Sequence, residues 1–98
     1  MSDIEFEWDE DKANANRHKH GVSFEEASTV FLDDAALLVS DPDHSQDEDR
    51  YLIVGRSLTL RVLVVSHCYR SQDRTIRIIS ARAATIRERR QYEGGRRL

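Results

Sequence analysis

Apolar and acidic residues alternate through "IEFEW" (4–8), the two-residue period of a half-buried strand. The pattern then changes. "DEDKANANRHKHG" (9–21) offers only Ala13 and Ala15 to an apolar stripe, yet it carries the start and stop signals of a helix. Asp9 is placed to cap, Glu10 and Asp11 suit the positive N-terminal end, and Arg17 to His20 suit the negative C-terminal end. Gly21 supplies a left-handed stop, with Val22 after it as in a Schellman ending. A second helix opens at once in "SFEEASTVF" (23–31). Ser23 and Glu26 form an S-x-x-E capping box, Val22 and Ala27 a staple, and Phe24, Ala27, Val30 and Phe31 share one face.

"AALLV" (35–39) predicts a short strand, followed by the polar loop "SDPDHSQDED" with the chain's only proline. Two long strand patterns, "RYLIVGR" (50–56) and "LRVLVVSHCY" (60–69), are separated by a short turn and predict a hairpin. "RTIRIIS" (74–80), after "SQD", extends the meander. The middle run is apolar at both parities, as a central strand covered on both faces would be. Thr85 and Glu88 form another capping box, so a terminal helix spans about 86 to 93 and the end of the chain frays. This order predicts an α+β domain, with two N-terminal helices and one C-terminal helix on a small antiparallel sheet. Ninety-eight residues make one domain, 1–98, with 94–98 as its frayed end.

Composition narrows the setting. No apolar run approaches 18 residues, so no membrane partner is predicted, and the acidic N-terminus has no apolar signal region. Cys68 is the only cysteine, which excludes an internal disulfide and fits a reducing cytoplasm. It reads as a small buried apolar residue rather than a nucleophile. Charge adds more. The net charge is −3, but residues 1–50 hold 15 Asp/Glu against four Lys/Arg, a balance of −11. Residues 51–98 hold three Asp/Glu against 11 Arg, a balance of +8. Either the halves neutralise each other inside the fold, or the arginines form a face for an anionic partner. Arginine forks onto phosphate and stacks on bases, which lysine does poorly.

Metal chemistry finds no support. Asp41, Asp43, Ser45, Asp47 and Asp49 alternate, but the glycine and glutamate that a calcium loop needs are replaced by Gln46 and Leu52. The four histidines have no zinc spacing. Neither metal nor cofactor is therefore predicted. The strongest constellation is "RHKHG" with the arginine strands. Metal-free RNA cleavage by a 2′-hydroxyl needs a base, cations on the phosphate, and a donor for the leaving oxygen. Lys19, His20 and His67 can exchange protons or carry charge. Arg70, Arg77 and Arg82 can hold phosphate, with Arg50 and Arg74 beside them. Tyr69 and Tyr92 can stack on bases or donate protons. Each residue alone also has a structural reading, since helix-end Lys and His stabilise the dipole and strand Arg snorkels. Their number and shared sign carry the functional one.

"FEWDEDKANANRHKHGVSFEEASTVF", "DPDHS" and "RIISARAATIRERRQYE" together resemble the BrnT-type toxins of bacterial toxin–antitoxin pairs, over roughly residues 4 to 93. Glu10 stands where that family often has proline, and suits a first helical turn equally well. The resemblance implies a RelE-like ribonuclease fold and RNA cleavage that arrests translation and growth. It also implies neutralisation by a BrnA-type antitoxin with a ribbon-helix-helix module, in a heterotetramer that binds its own promoter DNA. Carried over by motif, Lys19, His20, His67, Arg77 and Arg82 are the candidate catalytic positions; the reading of the residues themselves adds Arg50, Arg70, Arg74, Tyr69 and Tyr92 as RNA contacts. The rival reading is a non-catalytic module that binds nucleic acid or a protein partner. The two differ in whether proton-transfer groups join the arginines in space.

Overall fold

The computed structural model of the protein describes residues 4–41, 50–72 and 74–94. The loop predicted around "DPDHS" and the fraying tail lie outside the described residues, apart from Ser40, Asp41 and Gly94. Five strands form one sheet in the order β1-β5-β4-β3-β2: β1 (Glu5–Glu7), β2 (Leu37–Ser40), β3 (Arg50–Arg56), β4 (Val62–Arg70) and β5 (Thr75–Ala83). The β2-β3-β4-β5 meander is antiparallel as predicted. The sheet is nevertheless mixed, because β1 pairs with β5 in parallel, Phe6 opposite Ile76. A three-residue strand carries no local signal for its partner.

Helix α1 (Glu10–His20) has the predicted ends. The Asp9 carboxylate accepts the Lys12 N–H at 3.1 Å, and Gly21 closes the helix at φ 70°, donating to Arg17 O. Helix α2 is shorter than the pattern implied, Phe24–Thr29, and tightens into a 3₁₀ turn over Val30–Leu32. The Ser28 and Thr29 hydroxyls donate back to Glu25 O and Glu26 O, which competes with regular α-helical bonding. The Ser23 box is only half formed. Ser23 Oγ accepts the Glu26 N–H, but the Glu26 carboxylate turns away to Ser57, Thr59 and Arg61. Helix α3 (Ile86–Gly94) starts with a complete box, Glu88 N–H to Thr85 Oγ1 and Thr85 N–H to Glu88 Oε1.

The core lies between the sheet and the α1–α2 segment: Val22, Phe24, Ala27 and Val30 meet Ile53, Leu63, Val65, Ile76, Ile78 and Ala81. Gly55 makes the approach possible, since a Cβ there would sit 2.9 Å from both Val30 Cγ1 and Ala36 Cβ. The helices do not share one face. Val64 is buried on the other side of β4, and α3 reaches that side through the Arg82–Glu88 pair and the Arg56–Tyr92 contact. Covered above and below, β4 is the central strand its double-parity pattern predicted.

Candidate nucleic-acid interface

Strand register sorts the candidate residues into two faces. Arg50, Cys68 and Arg77 are successive register partners across β3, β4 and β5, with Glu7 of β1 next in the row. Arg70 lies two residues along β4, and Arg82 opposes Val64. These side chains share the face opposite the core, and α3 covers only the Arg82 end of it. Cys68, predicted to be buried, is half-buried in this row.

The arginines are partly neutralised from within. Arg77 Nη1 donates to Glu7 Oε2 at 3.0 Å, and Arg70 Nε lies 3.5 Å from the same oxygen. Arg82 grips Glu88 with both terminal nitrogens, at 2.7 and 2.9 Å. That fork and the Thr85 N–H hold the Glu88 carboxyl at about 2. Arg61 similarly pairs with Glu26, whose carboxyl is also held at about 2, first by the Arg61 hydrogen bonds. The acidic and basic halves of the chain thus meet at Glu7–Arg77, Glu7–Arg70 and Glu26–Arg61. Internal neutralisation accounts for part of the opposed charge. Arg74 is exposed at the β4–β5 turn, where its backbone N–H donates to Ser71 O and its carbonyl accepts from Glu5.

The α1 corner is fixed by a residue the sequence reading did not single out. Asn16 is buried; its Nδ2 donates to Ala81 O at 2.8 Å and Val22 O at 3.0 Å, and its Oδ1 accepts the Ala81 N–H at 3.0 Å. The side-chain amide occupies the β5 edge beyond the end of β1, as a neighbouring strand would. An asparagine in mid-helix, where it is a poor helix former, was the only local hint. Docked in this way, the last turn of α1 brings Lys19 and His20 beside Ile79 and Ser80, lining a shallow groove of about 230 Å³ with Lys12. The corner therefore faces the stretch of β5 between Arg77 and Arg82.

Three candidates are placed elsewhere. Tyr69, opposite Ile76, is half-buried against the core. His67 is completely buried on the core face, edge-on to Phe31 and Tyr69 and near Tyr51. Burial lowers its pKa, partly offset by the contact with Val65 O. It cannot touch a surface-bound phosphate; what it reaches is the half-buried Tyr69, whose hydroxyl lies 3.2 Å from Nε2. Tyr92 is completely buried too. Its hydroxyl donates to Asp33 Oδ2 at 2.6 Å and the Arg56 guanidinium lies over its ring, so no base can stack there. Among the described residues no group of three or more His, Cys, Asp or Glu side chains is arranged to hold a metal ion.

A search of the curated proteins returns no match. Among solved structures, the chain is similar to the Brucella abortus ribonuclease toxin BrnT, known from a 1.1 Å crystal structure. The TM-score is 0.66 at 23% identity, covering 84% of this chain and 97% of that one. At that identity the likeness establishes the fold. Residues 8–88 match the family described as the ribonuclease toxin BrnT of type II toxin–antitoxin systems. With most of its length inside that match, this chain belongs to the BrnT family of ribonuclease toxins.

Proposed function

We propose that the protein is a metal-independent endoribonuclease that cleaves cytoplasmic RNA, arrests translation and growth, and is neutralised by a ribbon-helix-helix antitoxin. The observation that carries this reading is the convergence on β5. Arg77 and Arg82 stand on its outer face, Arg50 and Arg70 stand on the same side of the sheet, and Lys19 and His20 line its edge. Arginines on the outer face bind the scissile phosphate and stabilise the charge that grows on it. Lys19 or His20 exchanges a proton with the attacking or leaving oxygen. Glu7 and Glu88 hold the guanidiniums in place before substrate arrives, which favours fixed geometry over flexible grip. Arg74 extends the contact to neighbouring nucleotides. The antitoxin forms a heterotetramer with the toxin that binds its own promoter DNA.

The burial of His67 and the internal pairing of Arg77 and Arg82 favour a second reading, a module that grips phosphate without cleaving it. Purified protein incubated with total RNA in EDTA separates the two. Cleavage that is lost in Lys19→Ala/His20→Ala supports the first; tight binding with intact RNA supports the second.

A further inference from the structure

The β3–β4 turn is built inside out. Its polar residues point inward: the Ser57 and Thr59 hydroxyls both donate to the Glu26 carboxylate, which Arg61 also grips, and Ser57 is buried. Thr29 Oγ1 accepts the Leu58 N–H, so α2 braces the turn from both ends. Its apolar residues point outward. Leu58 is 70% and Leu60 76% exposed, and Leu32 beside them is 71% exposed. Leu60 moreover holds φ at 69°, a left-handed conformation that a branched side chain adopts only at a cost. A turn free of other demands would place the leucines inside and glycine or asparagine at position 60.

Around these leucines the surface is grooved and basic. A cleft of about 180 Å³ separates Leu32 from Leu58, and a groove of about 350 Å³ runs between Leu60 and α3. Arg56 walls both, with Asp33 in the smaller; in the larger it is joined by Arg89 and by Arg61, which is paired with Glu26, against Glu93. A second copy of this chain is a poor occupant, because a two-fold contact would set these arginines against themselves. RNA gains nothing from three exposed leucines. Apolar anchors rimmed by arginine fit a protein segment with apolar side chains flanked by carboxylates.

We propose that this turn is the docking anchor for the protein antitoxin, through an acidic segment bearing apolar side chains. The inference rests on the toxin reading above. The anchor lies about 20 Å from Arg50, the length of the seven-residue β3, while the Ala83–Ala84 wall of its groove adjoins Arg82. The turn is held rigid before binding, which lowers the ordering cost of association.

The test is the double variant Leu58→Ser/Leu60→Asn, titrated calorimetrically with the purified cognate antitoxin. Asparagine tolerates the left-handed conformation, and the inward hydrogen bonds are untouched, so the melting temperature should hold or rise. Affinity should fall at least about tenfold, as expected when two central anchors are truncated, while RNA cleavage is unchanged. Arg89→Glu should weaken binding on its own and flatten its salt dependence. Wild-type antitoxin affinity in the folded double variant overturns the proposal. So does a variant that loses RNA binding or self-association but keeps the antitoxin. If the wild-type protein cleaves no RNA, the ribonuclease reading fails while the affinity comparison still decides this surface.

Discussion

Arg77 and Arg82 each carry a carboxylate of their own, Glu7 and Glu88, and this shapes what their removal should do. Both pairs are partly exposed, so their net contribution to stability is small. On the proposed ribonuclease reading, their contribution to a phosphorane-like transition state is not. Arg77→Ala or Arg82→Ala should lower RNA cleavage about 100- to 1,000-fold, the usual loss of one transition-state donor, with a melting temperature near wild type. Growth arrest by either variant at wild-type protein levels would remove that residue from the site. The arginines were legible in the sequence; the burial of His67 was not. β4 is apolar at both parities, so nothing local says whether His67 or Cys68 faces the core, and His67 went inward. Tyr92 stood among charged neighbours in "RRQYE", yet it is buried while Ile86 on the same helix is exposed.

At the scale of elements, capping signals located α1 and α3 closely, and the "RYLIVGR" strand matched residue for residue. Non-local contacts escaped. The parallel β1, the break of α2 into a 3₁₀ turn, and the seat of α1 on the β5 edge all depend on partners distant in sequence. Asn16 is the clearest case, 65 residues from the strand it completes. Asn16→Ala would leave the buried Ala81 N–H and C=O without partners, costing about 3 kcal/mol. For a chain of this size the melting temperature should drop by on the order of 15 °C. A drop of only a degree or two would mean that α1 docks by other means. Because the same amide sets the position of Lys19 and His20, residual folded variant should also cleave RNA more slowly.

Across the whole molecule, charge sets how stability responds to pH and, on the proposed reading, how RNA binding responds to salt. Glu26 and Glu88 are held at about 2, below the ordinary 4.5, so their contribution is complete above that value and is lost as pH falls from about 4.5 toward 2. His67 adds an earlier slope. Its folded pKa is depressed by burial, so below about 6.5 the unfolded chain takes up a proton that the folded one refuses, and stability falls. Thermal melts at pH 7 and pH 5 should show this loss, and His67→Gln should flatten it; an unchanged slope in that variant would assign it elsewhere. The arginine face predicts a salt effect as well. Affinity for RNA should fall steeply between about 50 and 200 mM salt as phosphate contacts release counterions. A flat response would argue against an electrostatic RNA surface.

The chemistry of the cut ends tests the central claim most directly. If arginines and the α1 corner alone drive attack by the 2′-hydroxyl, fragments produced in EDTA end in a 2′,3′-cyclic phosphate, with a 5′-hydroxyl on the following piece. Fragments with 3′-hydroxyl and 5′-phosphate ends, formed only when a divalent metal is supplied, would contradict it.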